Sequence, residues 1–385
     1  ALPEEKQEAE LAAATKASSA AEAELTRIRS AEEARFEVWM EKAAQADLAN
    51  REEIPGLVAS LSFEAFDEDH LADNVRPETP STTSASKNAL VEGYEGHAIR
   101  LTGDDPVTIP GVAHFRRHDP FSFSLWLKAD DLVDRSVIFR RSRAWDDAGS
   151  AGYELMREGD RLNFKICHFW PGNAIAVRMT EPLETGRWYH VAVTYDGSSK
   201  AAGLKLFIDG STENTAIWKD HLTRDAFSWD GELDLAIGSR FRDRGFKNGQ
   251  VDEFRVFDRE LSIVEVMRLK GDTGTEWHPD HQAYRQHYEL ADSDALREAR
   301  KNVREAREHR NSVMDSIPAI MVMEENPTPH QTHVLIRGGY DNPGEEVTAD
   351  TPEFLPPFPA DAPRNRLGLA QWATDPDHPL TARVT

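Results

Sequence analysis

Residues Gly249–Ser262 read GQVDEFRVFDRELS. Val251, Phe254, Val256 and Phe257 are strand formers, because branched and aromatic side chains suit a pleated, half-buried surface. Asp252, Glu253, Arg255 and Asp258 stand among them, so a charge falls at nearly every second position. The run then stops at Leu261-Ser262, a helix-start signal. A fold must be found that holds a charged strand and starts a helix directly after it.

Working outward, residues ~57–270 show about a dozen short apolar or alternating runs between turn signals, with no long helix. FSFSLWLKA, RLNFKICHFW, WYHVAVTYDGS and GLKLFIDG are examples. That pattern predicts a β-sandwich or jelly roll. The stretch 67–88 is rich in Pro, Ser, Thr and Asp and is expected to form a long surface loop.

Two helical seams flank this region. Residues ~3–50 are rich in Ala and Glu. Leu11, Ala14, Ser18, Ala21, Leu25 and Ile28 repeat at spacings of three and four, and the stripe slips by a residue before Phe36, Trp39 and Ala43. Residues ~279–316 carry a second seam, Leu296, Ala299, Val303, Ala306 and Val313, interrupted by Arg310 and closed by Pro318. Each seam needs a partner. Pairing with each other makes an antiparallel coiled-coil hairpin with the sandwich inserted at its tip; the alternative is that each binds another subunit. The domains expected are 1–55, first helix of the hairpin; 56–272, jelly roll; 273–318, second helix; and 319–385, a Pro-, Gly- and Asn-rich tail with a helical patch near 366–374.

Composition narrows the partners. Lys and Arg number 45 against 68 Asp and Glu, a net charge of −23. Nucleic acid and anionic membrane call for cationic footprints, so neither is expected. No apolar run approaches the length of a membrane span. The single cysteine, Cys167, forms no internal disulfide and no cysteine-based zinc site, and is expected to be a buried small hydrophobe. No Cys-x-x-Cys-His haem motif is present in this chain. The beginning, ALPEEKQEAE, has no basic region followed by an apolar stretch, and the chain is expected to be a segment of a longer protein.

The phrases HAIRLTGDDPVTIP, FSFSLWLKADD, RWYHVAVTYDGSSKAAGLKLFIDG, LAIGSR and VDEFRVFDRELS fall in the order of the laminin G-like, concanavalin A-type jelly roll, which the region ~57–270 resembles. That resemblance implies that GQVDEFRVFDRELS is the closing strand, with Phe254 and Val256 facing the core, Asp252 near a sheet edge beside the first strand, and a short helix from Leu261-Ser262. The tail phrases RGGYDNPGEEV and PRNRLGLAQWATDPDHPLTARV resemble the opening of a C-terminal domain of unknown function in large planctomycete cytochrome c-like proteins. This implies an exported protein, periplasmic or on the cell surface, whose haem-bearing and other domains lie outside this chain.

Three kinds of site are expected or weighed. Jelly rolls of this type resemble one another in holding a structural Ca²⁺ between first and last strands, with six to eight oxygen ligands; Glu64 and Asp252 would supply two, with Asp67 a spare. The other reading of these residues is a solvated acidic edge. A glycan face would use Trp145, Trp170, Trp218 and Trp229, which stand in loop-like surroundings beside Asp or Asn, by stacking sugar on the rings; packing beneath a loop, or against an absent domain, is the alternative. Trp126 and Trp188 are expected in the core. For catalysis a carboxylate pair on one strand face is required; Glu154 and Glu158 have the separation but flank Arg157 and run into a turn, and no catalytic residue is assigned. The expected function is a non-catalytic carbohydrate-binding or domain-organising module of a large exported cytochrome-associated protein. The alternatives are a structural spacer or protein-interaction module, and part of a haem-dependent redox protein.

Overall fold

The computed structural model describes residues 2–43, 54–131, 135–142, 151–226, 233–239, 245–271, 277–320 and 330–381. Residues 2–318 form one compact unit and 319–385 another.

The first unit contains two antiparallel sheets face to face. A seven-stranded sheet runs in the order Leu204–Ile208, Trp188–Tyr195, Phe121–Ala129, Gly249–Phe257, His97–Arg100, Ala89–Glu92, and Leu57–Leu61 also pairs with Gly249–Phe257. A ten-stranded sheet runs Thr215–His221, Asn173–Met179, Arg161–Phe169, Gly152–Glu158, Ser136–Ser142, Leu235–Ile237, Val107–Ile109, Ser81–Thr82, His70–Leu71, Phe66–Asp67. Phe123, Leu125, Val191, Val193 and Phe254 from the first sheet interlock with Phe139, Tyr153, Leu155, Phe164 and Val177 from the second. This is a concanavalin A-like sandwich, and its core follows the two-residue side-chain alternation of strands.

The opening stretch is an inner strand of the first sheet, bonded to Phe121–Ala129, His97–Arg100 and Leu57–Leu61. Phe254 and Val256 are fully buried in the core, as expected. The charges are accommodated by a bulge: pairing with Phe121–Ala129 shifts between Asp252 and Arg255. Glu253 takes a positive φ of 49° there, its N–H bonds Asp252 Oδ1 at 2.8 Å, and its carboxylate pairs with Arg255. One extra residue thus turns two charges out of the strand's alternation. The strand ends where Ser262 caps a helix, Ile263–Lys270, in a capping box with Glu265.

Six helices are described: α1 Glu5–Ala31, α2 Glu33–Ala43, α3 Ile263–Lys270, α4 His281–His287, α5 Asp294–Ser316 and α6 Arg366–Ala373. The slip in the first seam is the break between α1 and α2. Glu32 sits there, buried, accepting the Tyr288 hydroxyl at 2.8 Å and the Ser293 hydroxyl at 3.0 Å. The second helical stretch is not continuous either: a π-helical turn, Tyr288–Asp292, precedes α5, and Ser293 caps α5.

α1 runs antiparallel to α5. The Leu2 N–H bonds the Pro318 carbonyl at 2.8 Å, Glu22 pairs with Arg307 at 3.1 Å, and Arg29 pairs with Glu289 at 2.9 Å. Leu25 and Ile28 pack against the cluster of Phe36, Tyr288 and Leu296. α3 lies on the outer side of the seven-stranded sheet, where Val266 and Leu261 meet Ala192, Phe207 and Phe257. Ala43, Val264 and Ala283 then tie α2, α3 and α4 together. The arginines of α5 reach the sandwich: Arg304 holds Asp119 at 2.7 Å and Arg300 holds Glu260 at 3.4 Å.

The stretch 67–88 is not a free loop. It carries three short strands that extend the ten-stranded sheet. Its organiser is Asp73, fully buried, which accepts the N–H groups of Ser60, Val75 and Arg76 and pairs with the Arg76 guanidinium at 2.7 Å. A polar composition suggested a loop, but one carboxylate satisfied by five donors gives it a fixed anchor.

The second unit contains a hairpin, Thr332–Leu335 with Pro343–Val347, and α6. Asn365 caps α6, and the Trp372 ring N–H bonds the Pro356 carbonyl at 2.8 Å.

Candidate functional site

The core side of each strand fixes what its other side presents. Leu162, Phe164 and Ile166 point into the core, so Asn163, Lys165 and Cys167 lie on the outer face of the ten-stranded sheet. Across the ladder, Glu154 pairs with Lys165 and Met156 with Asn163 on one side; Ala176 and Arg178 stand opposite Lys165 and Asn163 on the other. Lys219 pairs with Ala176 one strand further on.

This face is chemically built. Lys165 Nζ lies 2.7 Å from Glu154 Oε1, both buried, and the Ser142 hydroxyl donates to Glu154 Oε2 at 2.9 Å. A buried ion pair is retained only when geometry and extra hydrogen bonds offset desolvation, and this one has both. Glu154 is therefore committed to Lys165, which removes it from any catalytic pairing with Glu158. Next to the pair, burial pushes the Cys167 thiol up to about 12, so it is an inert hydrophobe, as its surroundings in the sequence predicted. Asn163 is fully buried, and neither its amide oxygen nor its amide nitrogen has a hydrogen-bond partner. Buried polar groups are nearly always paired, so this amide calls for a polar occupant.

Two of the four tryptophans expected in a ligand face come together here. Trp170 and Trp218 are half-buried, with ring centroids 4.9 Å apart and planes at 60°. Lys165 Nζ sits 4.6 Å from the Trp170 centroid, and the Arg178 guanidinium 5.1 Å from that of Trp218. Each ring thus holds a cation against one face. Trp218 is not in a loop: it lies within the edge strand Thr215–His221, where a shift in pairing opposite Ala176 and Val177 re-aims it. Trp145 and Trp229 lie outside the described residues.

The three carboxylates considered for a cation are divided. Glu64 and Asp252 both face the turn Gly93–His97: a Cβ on Gly96 would lie 2.5 Å from Glu64 Oε1, and one on Gly93 2.7 Å from Asp252 Oδ2. Asp252, fully buried, accepts the N–H groups of Tyr94 and Glu95 at 2.9 and 3.0 Å, and burial pushes its carboxyl up to about 6. Glu64 is 3.2 Å from the His97 ring. Asp67 stands elsewhere, on the last strand of the other sheet, paired with His70. Among the described residues no three His, Cys, Asp or Glu side chains gather to hold a metal ion. Backbone amides bond both oxygens of Asp252, those of Tyr94 and Glu95 on Oδ2 and that of Glu253 on Oδ1.

The other tryptophans also differ from expectation. Trp126 is buried, yet outside the inter-sheet core: it lies on the outer face of the seven-stranded sheet beneath Tyr94, ring centroids 3.4 Å apart and planes at 12°. Trp188 is half-buried on that same face, 5.1 Å beneath Lys128 Nζ.

The most informative residues that the pattern of types alone missed are Lys165, Asn163 and Arg178, and Glu154 was weighed there only as half of a carboxylate pair. A signal for them was present. Gly159-Asp160 is a two-residue turn, and counting back from it pairs Glu158 with Arg161 and Glu154 with Lys165.

Residues 101–267 match the Laminin G family whose description is the concanavalin A-like lectin/glucanases superfamily. The sandwich seen here begins earlier, at Leu57. Comparison with curated proteins gave no match. Among solved structures, domain 4 of AbnA, a GH43 extracellular arabinanase from Geobacillus stearothermophilus solved with arabinotriose, is 23% identical with a TM-score of 0.41, over 56% of this chain and 98% of that one. The binding domain of Paraclostridial Mosquitocidal Protein 1 is 16% identical with a TM-score of 0.41, over 58% and 52%. The receptor binding domain of botulinum neurotoxin D is 13% identical with a TM-score of 0.40, over 56% and 52%, so the chain spans about half of these last two. Among the described residues no helix is long and apolar enough to cross a membrane.

Proposed function

We propose that the sandwich is a non-catalytic carbohydrate-binding module and that its binding face is the outer side of the ten-stranded sheet. One observation carries this: Trp170 and Trp218, far apart in sequence, form a half-exposed aromatic corner beside a buried polar floor. Sugar rings present apolar C–H faces to aromatic rings and hydroxyls to amides and charges, and this corner offers both. Stacking of this kind contributes on the order of 1 kcal/mol per ring beyond area burial, by analogy with aromatic pairs. Two rings therefore support weak binding, near the millimolar range or somewhat tighter.

A second reading has its own support. Trp170 lies over the Lys165 ammonium and shields a buried ion pair, which is what a purely structural ring would do. In that case the sandwich is a spacer or protein-interaction module. Trp218→Ala separates the two. Loss of retention on immobilised polysaccharide, with the melting temperature unchanged, supports binding. Retention unchanged while the protein loses ~3 kcal/mol of stability makes the ring structural.

The wider setting we propose, a domain-organising part of a large exported cytochrome-associated protein borne on a coiled-coil hairpin, rests on the tail phrases Arg337–Val347 and Pro363–Val384 and on the two seams. A Cys-x-x-Cys-His motif elsewhere in the same gene product would support it, and a parent polypeptide without one would remove it.

A further inference from the structure

Resting on the carbohydrate reading, we infer that the face selects acidic sugars, a uronate-containing polysaccharide, over neutral ones. The chain as a whole has a net charge of −23, yet Trp218 has one cation over its ring and another next to it in sequence. Arg178 and Lys219 flank Trp218 and are both partly exposed. Arg178 donates a bond to the Glu158 carbonyl at 3.2 Å and stacks on Trp218; among the described residues neither it nor Lys219 is paired with a carboxylate.

Arg178 Nε is buried and Nη2 donates to the Glu158 carbonyl at 3.2 Å, so Nη1 is the N–H group left to meet a ligand carboxylate. Arg178 Nε has no partner. Directly across the ladder from Arg178 stands Asn163, whose unpartnered amide is sealed beneath the face and belongs to its floor. A uronate fits the groups within reach: its carboxylate takes Arg178 Nη1 and the Lys219 ammonium, and its C–H face takes Trp218. A neutral hexose leaves Arg178 without its anion. The overall negative charge does not forbid this. At 0.15 M salt the Debye length is about 8 Å, so distant carboxylates are screened while the rim cations act at contact.

The experiment uses the full chain at 0.15 M NaCl and isothermal titration with oligogalacturonates and neutral galacto-oligosaccharides of equal length. The acidic series is expected to bind about tenfold tighter, the equivalent of about 1.4 kcal/mol, and to weaken as salt rises. Arg178→Gln should erase that preference, and the exposed Lys219→Gln should reduce it with folding intact. Equal affinity for both series, or a preference that both variants leave unchanged, overturns the acidic inference and leaves the carbohydrate reading standing. Binding of neither series overturns both.

Discussion

Asp252 and His190 flank Trp126 on neighbouring strands, each directly opposite it in the ladder. Both are fully buried, and burial drives them in opposite directions: the Asp252 carboxyl up to about 6, the His190 imidazole down to about 3. As pH falls from about 6 to about 4, the folded protein takes up a proton at Asp252 that the unfolded chain does not, which favours folding. Over the same range the unfolded chain takes up a proton at His190 that the folded protein refuses, which disfavours it. The two effects offset each other, so this region contributes little pH dependence to stability.

Asp252→Asn removes one half of that balance. Its melting temperature should fall more steeply than wild type between pH 6 and pH 4, because the His190 effect is left unopposed. His190→Asn should reverse the slope relative to wild type. Thermal unfolding at half-unit pH steps reads both, and parallel curves for all three proteins would refute the balance.

The buried ion pair of Glu154 and Lys165 gives a second outcome. Lys165→Met strands a buried carboxylate and should cost about 3–5 kcal/mol. The double variant Glu154→Gln, Lys165→Met should recover most of that loss, since both charges leave together. Urea unfolding of the four proteins gives the coupling; additive losses would mean the two side chains do not interact.

Phe36 is almost fully buried against Tyr288, Trp39 and Leu296. Phe36→Ala should cost about 3–5 kcal/mol by opening a cavity in that cluster. Hydrogen exchange should show α1 and α2 opening while the strands Phe121–Ala129 and Gly249–Phe257 stay protected. Loss of protection in the sheet at the same time would mean that helices and sandwich unfold as one.

For calcium, the donors on Asp252 decide the expectation. Tyr94 and Glu95 amides hold one oxygen and the Glu253 amide the other. Chelator should therefore leave the melting curve where it is. A drop restored by added Ca²⁺ would return Glu64 and Asp252 to the role of ligands.

How far the sequence could be read depends on which interactions are local. The resemblance to a closing jelly-roll strand placed Phe254 and Val256 in the core, and the two-residue period holds between them. The Ser262 cap was legible because a helix-start signal is local. The shift at Asp252–Arg255 was not, since a bulge is defined by the partner strand. Trp126 looked like core by type and sits on an outer face, because Tyr94, thirty-two positions away, supplies its cover. Of the site, Trp170 was found from its loop-like surroundings, and Trp218 was chosen for surroundings it does not have. Arg178 and Asn163 could be joined only through cross-strand register.

The hydrogen bond from Leu2 to the Pro318 carbonyl brings the entry and exit of a 317-residue unit to one point. Tension that reaches those two residues pulls α1 from α5 one contact at a time, as a zipper opens. The near end of that zipper is itself tied to the sandwich, where Arg224 donates to the Ile317 carbonyl at 2.8 Å and Arg117 pairs with Asp315 at 3.3 Å. A pull at that point is therefore shared from the start between the helical seam and the sandwich, through the arginines that clamp one to the other.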